Sequence, residues 1–153
     1  MGRPAPPPMT HSNVKLIATL SVLSGDSVAF VTYRHAPDSE AGLFLPNDLL
    51  HSRESPDAAA KRTAREQLGI EVKEPLLFDV DSFDGNDGTW HIAFHFRAEV
   101  ADAGGVNPGE DVTSLQWVPL DALPEKSKVA HFGWFNGIAT RARRHRMRFN
   151  TSG

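Results

Sequence analysis

The first half of the chain alternates between apolar runs and short polar turns. A β-branched apolar run over residues 14–23 ends at the turn 24–26, which reads Ser-Gly-Asp, and a second apolar run follows over 27–34. Two such runs joined by so short a turn predict a β-hairpin. A shorter strand is predicted over 42–45, and the aperiodic stretch 47–55 predicts a loop.

A helix start and a helix stop follow in order. Ser55 supplies a capping hydroxyl, Pro56 is favoured in the first turn, and Asp57 lies near the positive end of the helix dipole. The sequence then runs without a break to Leu68, and Gly69 is the residue type that most often ends a helix in a left-handed conformation. These signals predict a helix that ends just before Gly69.

The second half of the chain repeats the alternation of elements. Strands are predicted over 70–80, 89–100 and 113–118, and a second helix is predicted over 128–143. The order is strands, helix, strands, helix, with no internal repeat. It predicts an α+β domain in which one mixed sheet carries helices on its faces.

The two ends of the chain differ from this domain in composition. Residues 1–12 contain four prolines before Met9, which disfavour helix and strand alike, and they predict a disordered tail. Residues 144–153 are predicted to form a basic C-terminal tail, and cations at the end of a helix are favoured by its dipole. The domain itself is placed at 13–143.

Composition limits the kinds of protein that the chain can be. Its 153 residues suffice for one domain, and a hydrophobic content of 40% with 23% charged residues is typical of globular proteins. A formal net charge of −3 gives no reason to expect nucleic acid or an acidic membrane as a partner. The absence of cysteine excludes disulfides and thiolate metal sites. No apolar stretch approaches the roughly 20 residues of a membrane span, so we expect a soluble, cytoplasmic protein.

One segment carries a specific resemblance. Residues 42–70 read GLFLPNDLLHSRESPDAAAKRTAREQLGI. The segment resembles the Nudix box, whose pattern is G, five residues, E, seven residues, then R-E-U-x-E-E-x-G-U, where U is a bulky aliphatic residue. The positions that match are Glu54, Arg62, Glu66, Gly69 and Ile70. The positions that depart from the pattern are Asp48, Thr63 and Gln67, while Ala64 is an undersized match.

The resemblance implies both a fold and a reaction. It implies a MutT-like α/β/α sandwich, with a mixed β-sheet between helices, and a hydrolase of a nucleoside diphosphate linked to another moiety. It also implies Mg²⁺ or Mn²⁺ as cofactor and a phosphorylated small molecule as substrate. Nucleic acid and membrane partners are not expected, and a homodimer is left open because small domains of this kind often pair.

The residues that differ from the box predict a weakened metal site. Hard cations such as Mg²⁺ prefer oxygen ligands, and acids spaced at i, i+3 and i+4 on a helix share one face. In this chain those positions are Thr63, Glu66 and Gln67, of which only Glu66 is a carboxylate. We therefore expect Glu66 to hold the metal with weak help from Gln67 and Thr63, and hydrolysis to be slow. The alternative is a catalytically inactive domain that binds a nucleotide or another metabolite.

Further candidates follow from the resemblance and from residue type. Glu54 and Glu110 are predicted to act with Glu66 in catalysis, and an alternative role for Glu54 is a salt bridge with Arg62. An arginine near a phosphate can donate hydrogen bonds to it, and a histidine can line the same pocket. The basic residues predicted to contact substrate are Arg34, Arg62, His51, His91 and His95. Two alternatives remain: a metal site rebuilt from His51, Glu66 and one strand histidine, and histidines that are simply hydrogen-bonded or solvated.

Overall fold

The computed structural model describes residues 14–37, 40–85 and 88–151, with side chains up to residue 145. Within these residues the chain forms six strands and two helices. They are β1 (Val14–Ser24), β2 (Ser27–Tyr33), β3 (Asn47–Leu49), α1 (Pro56–Thr63), β4 (Leu76–Asp84), β5 (Trp90–Glu99), β6 (Val112–Pro119) and α2 (Ala130–Thr151). A π-helical turn, Ala64–Leu68, continues α1, and 3₁₀ turns lie at Ala103–Gly105 and Lys126–Lys128.

The strands form one mixed sheet in the order β4-β5-β1-β2-β6, and the short strand β3 pairs with β1. The pairing of β1 with β5 is parallel, and the other pairings are antiparallel. The predicted hairpin of β1 and β2 is confirmed. Central strand β1 lies between β5 and β2, so its side chains lie beneath both helices.

Helices cover the sheet on both faces. On β1, Ala18, Leu20 and Val22 are fully buried and belong to the same core cluster as the alanines of α1. Thr19 points to the opposite face, because side chains alternate along a strand. On that face α2 packs against β1, β4 and β5. The predicted mixed sheet with helices on its faces is confirmed.

The start and end of the first helical segment follow the sequence signals. The Ser55 hydroxyl accepts a hydrogen bond from the Ala58 N–H at 3.2 Å, which caps α1. Gly69 ends the π-helical turn with φ 63°. A Cβ at Gly69 would lie 2.8 Å from the backbone oxygen of Asn107, so both the backbone conformation and the close approach require glycine here.

Other boundaries differ from the predictions. The predicted strand 42–45 makes only isolated bridges, from Leu43 and Phe44, whereas a strand forms in the predicted loop at Asn47–Leu49. A three-residue strand has no periodicity to read, and it exists because β1 pairs with it. The strand predicted over 70–80 begins only at Leu76.

The C-terminal helix is longer than predicted. It begins at Ala130 and continues to Thr151, so residues 144–151 of the predicted basic tail are helical. The proline-rich tail predicted for 1–12 lies outside the described residues, and the domain limits 13–143 stay a prediction. Within the described residues, neither helix is long and apolar enough to cross a membrane.

Candidate functional site

The guanidinium of Arg62 is the centre of the box. Its Nε and Nη2 donate to the two carboxylate oxygens of Glu54 at 2.9 and 3.0 Å, and Nη2 also donates to the Leu49 carbonyl at 2.9 Å. Nη1 donates to Asp48 at 2.7 Å and to Glu66 at 3.3 Å. A guanidinium has five N–H donors, and all five are used. The Arg62 side chain is only 8% exposed, so the predicted contact between Arg62 and a substrate phosphate finds no donor left for it.

The pair of Arg62 and Glu54 is the tightest part of this network. Hydrogen bonds from Arg62 lower the pKa of the Glu54 carboxyl to about 2, with a smaller contribution from the backbone N–H of His51. In return, Glu54 and Asp48 raise the pKa of Arg62 above its usual range. Glu54 therefore serves as the counter-ion of Arg62, as in the salt-bridge alternative, and the catalytic role predicted for it would require that pair to open.

Asp48 replaces the glycine that opens the family pattern. The residue lies in β3 and pairs with Ala18 of β1, so its backbone is extended. In this loop the left-handed conformation occurs instead at Arg53, with φ 67°. The aspartate therefore causes no backbone strain at this position, and its carboxylate contributes a second counter-ion to Arg62.

Gln67 is held at both ends of its amide. The Tyr33 hydroxyl donates to Gln67 Oε1 at 2.7 Å, and Gln67 Nε2 donates to the Asn47 carbonyl at 2.8 Å. The same tyrosine hydroxyl accepts a hydrogen bond from the Asn47 N–H at 3.0 Å. Burial raises the pKa of Tyr33 above its usual range, so this hydroxyl stays a donor. A glutamate at position 67 could not donate to the Asn47 carbonyl, which means that the amide suits this network better than the family's carboxylate.

Thr63 is enclosed in the interior. Its side chain is 1% exposed, and its hydroxyl has no hydrogen-bond partner among the described residues. Buried on the core side of the helix, this hydroxyl lines none of the cleft described below. The role of Thr63 in assisting a metal stays a prediction, and in this conformation its hydroxyl lies away from the cleft.

A cleft opens beside the end of the box helix, and its first half is acidic. This half encloses about 300 Å³, and the carboxylates of Asp48, Glu66 and Asp111 line it. The backbone N–H of Gly109 donates to the Gln67 carbonyl at 2.9 Å, which brings Asp111 beside the box helix. The remaining described residues of this half are Tyr33, His35, Pro37, Asn47, Gln67 and Val112. We call this half the acidic half.

The second half of the cleft is more apolar. It encloses about 280 Å³ and shares Pro37, Asn47 and Asp48 with the acidic half, so the two are continuous. Ile17 and Leu49 supply apolar walls, while Lys15 and His91 supply polar groups. We call this second half the strand half, because β1, β3 and β5 form it.

The side chains present do not fit a metal ion held by the protein alone. Within the described residues there is no group of three or more histidine, aspartate or glutamate side chains placed to hold one. Of the three helix positions that the family pattern assigns to metal, Gln67 is engaged at both ends, Thr63 is buried, and only Glu66 offers a carboxylate. The rebuilt site of His51, Glu66 and a strand histidine is not formed either. A divalent cation would have to bring ligands of its own.

The remaining predicted residues fall in three places. Arg34 and Glu110 border a shallow surface depression with His35 and Asp111, just outside the cleft. His51 is exposed and lines a different depression, beside Arg53 and Glu54. Of the predicted substrate contacts, His91 lines the cleft.

His95 is buried beneath α2 and does not reach the cleft. Its ring is fully buried; Nδ1 lies 2.6 Å from the Thr19 hydroxyl and Nε2 lies 3.0 Å from Asp81. Arg141 of α2 donates to the same Asp81 oxygen at 2.8 Å. Burial lowers the pKa of His95, so the neutral ring donates to Asp81 and accepts from Thr19. The substrate contact of His95 stays a prediction, and in this conformation its ring is buried and hydrogen-bonded within the domain.

Two residues of the site were missed by sequence reasoning. Tyr33, the single tyrosine of the chain, ends β2 and holds Gln67, while Asn47 opens β3 and bonds both of them. The signal available was weak: a lone tyrosine at a strand end next to Arg34. Nothing in the sequence indicated that residues 33, 47 and 67 meet.

Comparison with models of protein families identifies the family of this chain. The model of the NUDIX domain matches residues 15–136, which is most of the chain. The chain belongs to the Nudix family. Membership carries the general features of Nudix domains: they use divalent metals, and their substrates are phosphorylated small molecules. None of the curated proteins compared matches its sequence.

Solved structures agree with this Nudix fold. A NUDIX hydrolase from Nitrosomonas europaea has a TM-score of 0.70 at 19% identity, covering 90% of this chain and 75% of that one. A MutT NUDIX hydrolase from Burkholderia pseudomallei has 0.66 at 21%, covering 77% and 91%. An Ap4A hydrolase from C. elegans has 0.66 at 14%, covering 86% and 96%. At such identities the likeness concerns the fold alone.

Proposed function

We propose that this Nudix domain is a slow hydrolase of a nucleoside diphosphate linked to another moiety, bound in the cleft as a complex with a divalent cation. The acidic half carries the proposal. Asp48, Glu66 and Asp111 line it, and the only basic side chain among its described lining residues is His35. A bare diphosphate would be repelled by these carboxylates, whereas one that carries Mg²⁺ or Mn²⁺ brings the charge that such oxygen ligands favour.

Glu66 is the residue we assign to contact that substrate complex. Its side chain is 54% exposed and its bond to Arg62 is the longest of the five at 3.3 Å, so it is the most easily released. Asp111 lines the same half from the opposite loop, and it takes the place that the sequence assigned to Glu110. Its pairing with His35 is long, at 3.4 Å, and exposed.

Slow turnover follows from the same geometry. The affinity of oxygen sites for divalent cations depends on the number of charged ligands, and positions 63 and 67 supply none. Asp48 and Glu54 are committed to Arg62. We therefore expect rates that rise with metal concentration into the millimolar range.

A second candidate is a Nudix domain that binds a nucleotide or metabolite without hydrolysing it. Gln67 favours it, because the amide forms a closed network with Tyr33 and Asn47 that a carboxylate would break. In that case the cleft would bind ligand while the box served only to hold the loop.

The experiment that separates the two candidates is a turnover assay with a panel of dinucleotides, nucleotide sugars and nucleoside triphosphates. Under the proposal, products form only with Mg²⁺ or Mn²⁺, and Glu66→Gln lowers the rate at least about tenfold. The matched control is Glu71→Gln, an exposed glutamate beyond the box, which should leave the rate unchanged. No turnover at millimolar Mn²⁺, together with thermal stabilisation by a ligand, would replace the proposal with the second candidate.

A further inference from the structure

His91 is a buried polar side chain at the wall of the strand half. It is 2% exposed, yet it lines the cleft. Across the strands it lies between Lys15 of β1 and Phe83 of β4, which are its register partners. Its ring stacks on that of Phe83, with centroids 4.8 Å apart and planes 11° from parallel. The ring is therefore fixed in place by its neighbours.

The hydrogen bonds of His91 define what it can offer to a ligand. Nδ1 lies 3.3 Å from the Thr89 carbonyl and 3.4 Å from the Thr89 hydroxyl. A carbonyl only accepts, so Nδ1 is the donor in this contact, and in that tautomer Nε2 is an acceptor. Within the described residues no hydrogen bond is made by Nε2. A ligand in the cleft that donates to Nε2 would gain a hydrogen bond there.

The rest of the strand half indicates the shape of that ligand. Ile17, Leu49 and Pro37 give apolar walls. The polar lining residues are Lys15 and His91, together with Asn47 and Asp48, which are shared with the acidic half. Such a lining suits a flat heterocycle, whose faces are apolar and whose edge carries hydrogen-bonding groups. Because the two halves are continuous, a heterocycle here and a diphosphate in the acidic half can belong to one molecule.

We infer that His91 is a specificity-determining residue, which selects a planar heterocycle bearing an N–H donor through its Nε2 acceptor. This inference deepens the proposed function, because it names the part of the substrate that the strand half recognises. It does not depend on catalysis, since neither His91 nor the heterocycle takes part in breaking the diphosphate.

The test uses two nucleosides without phosphate, so that the acidic half and the metal play no part. Adenosine carries an exocyclic amino group, and purine riboside lacks it. Titrations followed by NMR should give adenosine an affinity about fivefold to tenfold higher, which corresponds to one additional hydrogen bond. His91→Phe, which keeps the stacking on Phe83, should abolish the difference, whereas His91→Gln, which restores an acceptor, should recover part of it.

Two controls keep the result interpretable. Glu74→Gln changes an exposed side chain that lines neither half of the cleft and should leave the ratio of affinities unchanged. If His91→Phe fails to fold, the ¹⁵N signal of Nε2 in the wild-type protein provides the readout: it should move with adenosine and stay with purine riboside.

Equal affinities for the two nucleosides, or no binding of either, would overturn the assignment of His91. If the nucleosides gave that result but the protein still hydrolysed a substrate containing a nucleoside diphosphate, the proposed function would be retained. If His91 discriminated between the two nucleosides but no substrate were hydrolysed, the hydrolase proposal would be refuted and the specificity assignment would be retained.

Discussion

Arg62 and Glu54 form a two-pronged ion pair, with Nε to Oε2 at 2.9 Å and Nη2 to Oε1 at 3.0 Å. Both partners are residues of the Nudix pattern that this chain has kept. Because Asp48, Glu66 and the Leu49 carbonyl take the other N–H groups, the pair is part of a closed network that joins β3, the loop and α1. The retained residues of the box thus hold the loop and the helix together beside the cleft.

The first prediction concerns the stability contributed by Arg62. Arg62→Ala leaves three carboxylates without their common cation, and removing one partner of a buried ion pair costs about 3–5 kcal/mol. Arg62→Lys keeps the charge but cannot donate in five directions, so we expect a smaller loss. Urea unfolding measures the loss of stability in both variants. Arg65→Ala on the same helix is exposed and should change stability by less than about 1 kcal/mol; a similar loss in all three variants would refute the network's role.

The second prediction concerns acid. The pKa of Glu54 is lowered to about 2 in the folded protein, whereas an unfolded glutamate titrates near its ordinary value of about 4.3. The stability from this group is therefore fully present above the unfolded pKa, and it is lost as the pH falls through about 2. Glu54→Gln should be less stable at neutral pH and should lose less stability between these two pKa values. If the stability of the wild-type protein and that of Glu54→Gln changed in parallel with pH, Glu54 would not be held by Arg62.

Features that depend on residues close together in the sequence could be predicted, whereas contacts between residues far apart in the sequence could not. The helix start at Ser55 and its end at Gly69 are local signals, and both were predicted. The ion pair of Arg62 with Glu54 was anticipated as one alternative, because the two lie eight residues apart within one motif. The meeting of Tyr33, Asn47 and Gln67 spans 34 positions and depends on how β2 and β3 pack against the box helix.

Burial explains why two of the predicted site residues lie away from the cleft. Thr63 and His95 were assigned to the site by residue type and by position in a motif or strand. Strand alternation did place His91 and His95 on one face, yet only His91 reaches the cleft, because Trp134 of α2 packs on His95 with ring centroids 5.4 Å apart. A single sequence does not show where along a strand the covering helix begins.

The third prediction concerns the amide of Gln67. Gln67→Glu keeps the acceptor for the Tyr33 hydroxyl but sets a carboxylate oxygen against the Asn47 carbonyl, which sits 2.8 Å from the present Nε2. Without a donor there, we expect a loss of about 1–3 kcal/mol, measured by urea unfolding at neutral pH. Gln116→Glu, an exposed position on β6, is the matched control. Unchanged stability in Gln67→Glu would mean that the amide network contributes nothing.

The fourth prediction concerns two buried threonines. The Thr63 hydroxyl has no partner among the described residues, so Thr63→Val, which has the same shape, should be neutral or slightly stabilising. The Thr19 hydroxyl lies 2.6 Å from His95, and Thr19→Val should cost about 1–3 kcal/mol by leaving the ring nitrogen unpaired. Thermal unfolding of the two variants measures the difference. An equal loss of stability in both would contradict this assignment of hydrogen-bond partners.

The most direct measurement is the initial rate of hydrolysis as a function of Mn²⁺ concentration, for the best substrate of the panel. Of the helix positions 63, 66 and 67, only Glu66 is a carboxylate, so under the proposal the metal arrives with the substrate. The account therefore predicts a rate that is zero in EDTA and still rising at millimolar Mn²⁺. A rate that saturates at micromolar Mn²⁺ would reveal a metal site held by the protein itself, and it would contradict the account.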